Sequence, residues 1–190
     1  MELYIEKYSH LQVSNADEMT AIYRSLQIDY PKFHKMDNLS KLGFLASEQI
    51  FKDLNGRYKG GDNLTLAGFN SSSSLDADAH FQATIDSADN YFPSPSIFVY
   101  TLPNVVLGEI AIRNCLFGET IFYICARFDA RFIIATVRQI LQHDGADAVL
   151  AGWIEYGKSA KEALMLLINK DKGSLPLSEN ILTDFINNNK

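Results

Sequence analysis

The stretch from Thr120 to Ile168 constrains the fold more than any other part of the chain. Thr120-Ile121-Phe122-Tyr123-Ile124-Cys125 is a run of β-branched and aromatic residues without a charge, the composition of a strand. A helical period follows from about Asp129 to Gln142, and then Ala148 to Trp153 and Ala163 to Ile168 read as two buried strands in succession. Asp171-Lys172-Gly173-Ser174 reads as a turn, and Ser178 as the cap of a short final helix. Strands alternating with helices and closing on two consecutive strands indicate an α/β domain with a mixed sheet.

The first half fits the same scheme. Leu3-Tyr4-Ile5 begins a strand extending toward Val13, and Asn15 with Glu18 three residues on is an N-cap signature for a helix to about Leu26. Tyr30-Pro31 interrupts the chain before a helix from about Asn38 to Leu54. Leu64 to Phe69 reads as a buried strand. Asn70 and the serines Ser71 to Ser74 follow as a loop and cap for a helix from about Leu75 to Ile85. Asp86 to Ser96 is a polar loop, and a further helix is expected from about Leu102 to Leu116, ending near Gly118. No internal repeat or linker divides the chain, so residues 1–190 read as a single domain.

A hydrophobic fraction of 47% with 12% aromatics supports a packed core. The net charge of −6 lacks the clustered Lys and Arg from which nucleic-acid binding draws its affinity, so no nucleic-acid partner is expected. The segment Lys32 to Lys41 is the densest local group of bases and reads as a solvated helix start. Two cysteines, Cys115 and Cys125, do not make a disulfide framework. No apolar stretch approaches the roughly 20 residues of a membrane span, and the acidic N-terminus is unlike a secretion signal. A reduced, cytoplasmic location is the expectation. His10, His34, His80 and His143 stand in no metal-ligand spacing, and no metal or cofactor is expected. The serine run lacks the glycines and the Lys-Ser/Thr ending of a phosphate loop.

Four segments together resemble the N-terminal half of a β-ketoacyl-acyl-carrier-protein synthase, a thiolase-fold enzyme. Lys35-Met36-Asp37 before Asn38 to Gly43 is similar to the family's lead into its first long helix. The stretch Phe98 to Arg113, with Leu102-Pro103-Asn104, Gly108 and Ile110-Ala111-Ile112, resembles the family's helix beside the active site. Leu116-Phe117-Gly118-Glu119 is similar to its approach to the nucleophile. Gly145-Ala146-Asp147-Ala148-Val149-Leu150-Ala151-Gly152 matches its Ala-Asp-x-x-Leu-Ala-Gly strand. Order and spacing agree from Phe98 to Gly152, and loosely before Lys35. The resemblance implies half of a thiolase-like fold, a mixed five-stranded sheet with helices on both faces. Pro103, Asn104, Gly108, Gly118 and Gly152 are its motif positions.

The departures bear on chemistry. Counting forward from Gly118 or back from Ala146-Asp147, the position of the family's nucleophilic Cys is Arg127. A guanidinium is permanently charged and no nucleophile, and it sits unfavourably at the positive end of a helix unless Asp129 or Glu119 pairs with it. Ala130 stands where the family usually has Gly, and Phe128 and Asp129 replace small or hydroxylated residues. Cys125, two residues earlier, is an alternative nucleophile or a buried strand Cys. Cys115, near a helix end, reads as core or surface packing, and Trp153 as a packing or interface residue. The family's two catalytic histidines belong to a C-terminal half that these 190 residues do not include.

The resemblance therefore implies a non-catalytic partner. Small synthase-like chains without the Cys resemble chain-length factors and occur beside aryl-polyene and flexirubin-type pigment pathways in bacteria. An acyl-transfer enzyme using Cys125 with groups from a second chain, and a carrier-protein-binding module, are the other readings. The expected assembly is a twofold dimer, with itself or with a synthase homologue, through Thr120, Ile121, Phe122, Tyr123 and Ile124. An uncharged run of this kind is an aggregation hazard if left as an open edge. An acyl carrier protein is a further expected partner.

Overall fold

The computed structural model describes residues 1–143, 145–158 and 160–187. In chain order the elements are β1 (Tyr4–Gln12), α1 (Ala16–Ser25), α2 (Asn38–Phe51), β2 (Leu64–Asn70), α3 (Leu75–Gln82), α4 (Pro95–Phe98), α5 (Val105–Asn114), β3 (Thr120–Ile124), α6 (Ala130–His143), β4 (Ala148–Tyr156), β5 (Lys161–Asn169), β6 (Leu175–Pro176) and α7 (Glu179–Asn187). The strands form one mixed sheet in the order β3-β2-β4-β5-β1-β6. β2 pairs in parallel with both β3 and β4, whereas β5 runs antiparallel to β4 and to β1.

The expected five strands are all present. The sixth, β6, is two residues long and pairs Leu175 and Pro176 with Ile5 and Tyr4. It lies beyond the expected turn because Gly173, at φ +136, carries the chain tightly over the backbone of Ile5. Several helix ends also differ. α5 starts at Val105, since Leu102 to Asn104 form a turn whose carbonyls take the first helical amides. α2 stops at Phe51 rather than Leu54, and α3 at Gln82 rather than Ile85. The polar loop after α3 carries short helical turns at Ala88–Asn90 and Pro95–Phe98.

Alternation along the strands divides the core in two, since successive side chains of a strand point to opposite faces. Leu64, Leu66, Leu150, Ile154, Met165 and Leu167 pack beneath α1, α2 and α5. Phe69, Val149, Trp153, Leu164, Leu166 and Ile168 pack beneath α6 and α7. β4 and β5 are buried on both faces, which is why they read as continuous apolar runs. The caps behave as local rules require. Asn15 Oδ1 accepts from the Glu18 N–H at 3.0 Å while Glu18 Oε2 accepts from the Ser14 N–H at 2.7 Å, a reciprocal capping box. The Asp37 carboxylate takes the N–H groups of Leu39 and Ser40 at 3.2 and 3.1 Å.

Glycines allow close packing on the α5 side of the sheet. Phe122, Gly68, Gly152 and Met165 lie in one row across four strands. A Cβ on Gly68 would collide with the Phe122 ring, and one on Gly152 with the Met165 sulfur. The two large side chains lie over the two glycines, an exchange of volume that fills the layer without a void.

Candidate functional site

The parallel strands β2, β3 and β4 end on the same edge of the molecule, and there Cys125, Arg127 and Asp129 come together. β3 closes at Ile124. Cys125, expected as its last residue, lies just beyond it, although its N–H still donates to Asn70 O at 2.7 Å. The chain turns through Ala126, Arg127 and Phe128 and enters α6 at Asp129. The Asp129 Oδ1 accepts from the Phe132 N–H at 3.1 Å, and its carbonyl accepts from the Ile133 N–H at 3.1 Å. Phe128 anchors the turn by meeting Trp153 edge to face at 5.5 Å. Trp153 is thus an interior residue of β4, which runs on to Tyr156 beyond the expected end of the strand.

Arg127 stands exposed at this strand-to-helix turn. The expectation that Asp129 or Glu119 neutralises it is not met: among the described residues no carboxylate lies within 4 Å of its guanidinium. Asp129 instead caps α6, whose unsatisfied amides compete for its carboxylate. Glu119 lies at the opposite end of β3. A shallow cavity of about 290 Å³ is lined by Cys125, Ala126, Arg127, Asp129 and Phe132. Cys125 is half-buried there, and burial, followed by the negative charge of Asp129, pushes its thiol pKa up. Both effects work against a thiolate. Cys115 is exposed, at the left-handed end of α5, so of its two readings the surface one applies.

One constellation on this edge was not legible beforehand. Glu155, 4% exposed, accepts from the Ser71 N–H at 2.8 Å and the Ser71 hydroxyl at 2.6 Å, and its other oxygen takes the Ser72 hydroxyl. Asn70 and Ser73 close the same loop through paired bonds of 2.8 and 3.0 Å, with Ser73 at φ +52. Ser74 sits at the start of α3, but its hydroxyl donates to Thr101 O rather than capping that helix. The serine run is therefore a clamped loop, and the available signal was an acidic residue inside an otherwise apolar strand. A second buried carboxylate, Glu109 of α5, holds the Lys32 ammonium at 2.8 Å and the Tyr100 hydroxyl at 3.2 Å. Lys32 is accordingly an ion-pair partner rather than part of a freely solvated basic segment.

The motif residues are dispersed. Pro103 and Asn104 form the turn before α5, and a Cβ on Gly108 of α5 would meet nothing within 4 Å. Gly118 lies at the far end of β3, where a Cβ would strike the Leu64 carbonyl. Gly152 lies in the middle of β4. His80 is exposed beside Asp76. Among the described residues no group of His, Cys, Asp and Glu is arranged to hold a metal ion, and no single helix is long and apolar enough to cross a membrane.

β3 pairs only with β2 and forms the edge of the sheet. Ile121 and Ile124 are exposed on it, and Phe98, Val99, Leu102, Ile112 and Phe117 are exposed elsewhere in the chain.

No protein-family model matches the chain, and no curated protein matches it by sequence. Solved structures do. A structure of the ketosynthase ApeO in complex with its chain length factor ApeC, from Xenorhabdus doucetiae, is similar over 91% of this chain and 81% of the matched one, with a TM-score of 0.62 at 15% identity. The ishigamide ketosynthase/chain length factor matches over 90% of this chain with a TM-score of 0.68 at 15% identity. The AntDE:AntF complex of a type II polyketide synthase acyl-carrier protein with its ketosynthase matches over 90% with a TM-score of 0.62 at 11% identity. The chain spans about three-fifths of the matched chains in the latter two, 63% and 62%. The resemblance carried by Phe98 to Gly152 is thus reproduced in three dimensions, and the chain has the thiolase-type fold of the ketosynthases and their chain length factors.

Proposed function

We propose that this chain is a non-catalytic, chain-length-factor-like subunit of a ketosynthase system in fatty acid or polyketide biosynthesis, of the aryl-polyene or flexirubin type. Its working form is a twofold dimer, with itself or with a synthase homologue, and an acyl carrier protein is a further partner. The observation that carries the reading is Arg127, a solvent-exposed guanidinium at the β3–α6 turn where the resemblance places a nucleophilic Cys. No other residue takes over. The Cys125 thiol shares the cavity, but burial and Asp129 disfavour its thiolate. His80, the histidine on a helix nearest this edge by sequence reading, is solvated beside Asp76. A general base and an oxyanion donor are each worth orders of magnitude in rate, and the described residues around Arg127 offer neither a histidine nor a thiolate. The structures of similar fold, in which a ketosynthase is seen with its chain length factor, support the partner role.

The test is incubation of the purified chain with an acyl-carrier thioester, or with the Cys-directed inhibitor cerulenin, followed by intact mass. Unmodified protein without condensing activity, and copurification of a synthase from the native host, is the expected result. Steady turnover by the pure protein that Cys125→Ser abolishes would overturn the reading in favour of catalysis at Cys125.

A further inference from the structure

A second polar hollow lies beside Leu116, just ahead of β3, whereas Arg127 follows the other end of that strand. α2 ends at Phe51 and α5 at Asn114, and the segment from 52 to 61 folds back toward α5 through Gly56 at φ +73 and Gly60 at φ +78. The Gly60 N–H to Cys115 O bond of 2.7 Å ties it there. The cavity so formed measures about 310 Å³, within the range of small-molecule sites. Four bases line it, Lys52, Arg57, Lys59 and Arg113, against one acid, Glu48. In a chain of net charge −6 this local excess is the reverse of the whole. The adjoining cavity, which shares Arg57 and Tyr58, differs: Lys170 and Lys172 line it together with Asp147 and Asp171.

Two of the four bases are neutralised inside the chain. Arg113 donates from Nε and Nη2 to Glu48 Oε2 at 3.3 Å each and from Nη1 to Asp29 O at 3.2 Å, and it lies over the Tyr30 ring at 5.3 Å. Arg57 holds Glu6 at 2.6 Å. Lys52 and Lys59 are exposed, and among the described residues neither is in an ion pair. The carbonyls that end α2 favour a base at Lys52, which accounts for one lysine but not for four bases around one hollow. A second observation concerns Glu48, which is 9% exposed. Both bonds from Arg113 go to Oε2, and Oε1 is buried with no hydrogen-bond partner among the described residues. Buried polar atoms of native proteins are nearly always paired. A carboxylate oxygen only accepts, so what Oε1 lacks is a donor.

We propose that this hollow binds a small phosphate monoester that also carries a free hydroxyl, a sugar phosphate in chemical class. Two unpaired monocations match the charge of about −1.5 to −2 that a phosphate monoester carries at pH 7, whereas a carboxylate would neutralise only one of them. The phosphate lies between Lys52 and Lys59, and the hydroxyl donates to Glu48 Oε1, whose carboxylate Arg113 holds in place. Phe51 and Leu116 supply the apolar wall. Recognition of this ligand does not depend on the partner role proposed above.

The test is isothermal titration calorimetry of the full chain at low salt, with ribose 5-phosphate, inorganic phosphate and ribose as separate titrants. It is run on the parent, Lys52→Glu, Lys59→Glu and, as a control outside the hollow, Lys158→Glu, with circular dichroism melts to establish that each is folded. Saturable binding of one ribose 5-phosphate per chain is expected, tighter than that of inorganic phosphate, with none for ribose. Each reversal in the hollow should weaken it about tenfold or more, because attraction to a dianion becomes repulsion, and Lys158→Glu should leave it unchanged. Binding should also weaken from pH 7.5 to pH 5.5, as the phosphate takes up a proton with a pKa of about 6. No saturable binding of ribose 5-phosphate at millimolar concentration, or binding that neither reversal changes, would overturn the site. Inorganic phosphate bound as tightly as ribose 5-phosphate would overturn the part given to Glu48.

Discussion

Three glycines of the matched segments occupy unlike surroundings, and alanine at each gives a graded prediction. At Gly118 a Cβ would strike the Leu64 carbonyl oxygen and come within 2.9 Å of the Asp62 oxygen. These are main-chain atoms of the segment leading into β2. That segment is stitched to the Gly118 turn by the Phe117 N–H to Gly61 O bond of 2.9 Å, so neither side can move alone. Overpacking of a well-ordered site costs about 1–3 kcal/mol, and rigid backbone on both sides puts Gly118→Ala at the upper end, about 3 kcal/mol. At Gly152 the collision is with the end of Met165, which is flexible, and a cost nearer 1 kcal/mol is expected. At Gly108 nothing lies within 4 Å, and within a helix Ala is favoured over Gly by about 0.8–1 kcal/mol. For a chain of this size 1 kcal/mol moves the melting temperature by about 2–4 °C. Thermal melts should place Gly118→Ala about 6–12 °C below the parent, Gly152→Ala a few degrees below, and Gly108→Ala a few degrees above. A Gly118→Ala protein that melts with the parent, or a Gly108→Ala protein that melts below it, would show that the close approaches described here do not govern these positions.

Two further outcomes concern titration. Because burial and Asp129 raise the Cys125 pKa, its alkylation by iodoacetamide at pH 7.5 should be slower than that of exposed Cys115, with a pH midpoint above the ordinary thiol value of about 8.5. Asp129→Asn should lower that midpoint, and peptide mass spectrometry giving equal rates for both thiols would contradict the assignment. Asp37 caps α2, and desolvation, its first cause, raises its pKa despite the bonds from Ser40 and Leu39. A raised carboxylate pKa means the folded state holds the proton more tightly, so this group's contribution to stability falls as pH rises from the unfolded value of about 3.9 through the raised one. Asp37→Asn, which keeps a capping side chain, should remove that part of the dependence in denaturation measured from pH 3 to 7, and an unchanged pH profile would count against it.

The elements legible in the sequence are those whose pattern is set by burial on a sheet. β4 and β5 announce themselves because both faces are covered, and β3 because β-branched and aromatic residues suit an edge pairing with β2. What was not legible depends on contacts between residues distant in the chain. Glu155 and Ser71 are separated by 84 positions, and nothing in either segment says that a carboxylate will close a serine loop. Glu109 and Lys32 likewise meet only because α5 packs across the chain before α2. The start of α5 was misplaced for a related reason: turn carbonyls such as those of Leu102 and Asn104, rather than periodicity, decide where that helix begins. At the candidate site, the turn at Arg127 was placed correctly by counting. The orientation of Asp129 was not, because a helix N-terminus competes for the same carboxylate.

The distribution of uncovered apolar surface is uneven. In a full thiolase fold the two halves stack, and a half taken alone could be expected to show an apolar scar where the other half lay. The outer face of α6 is mostly polar: Arg131, Arg138, Gln139 and Gln142 are exposed along it beside a single exposed aromatic, Phe132, with Arg131 held to Glu179 of α7 at 2.8 Å. α7 itself buries Leu182 and Ile186 on the sheet and stacks Phe185 on Tyr8 at 4.3 Å, completing that layer. Elsewhere Phe98, Val99, Leu102, Ile112, Ile121 and Ile124 stand between 36% and 61% exposed, the last two on the edge strand β3. Single apolar residues at a surface need no explanation, but those on an unpaired strand do. The α6–α7 side is the more polar of the two, and exposed apolar side chains are found instead on β3, on α5 and in the segment before α5.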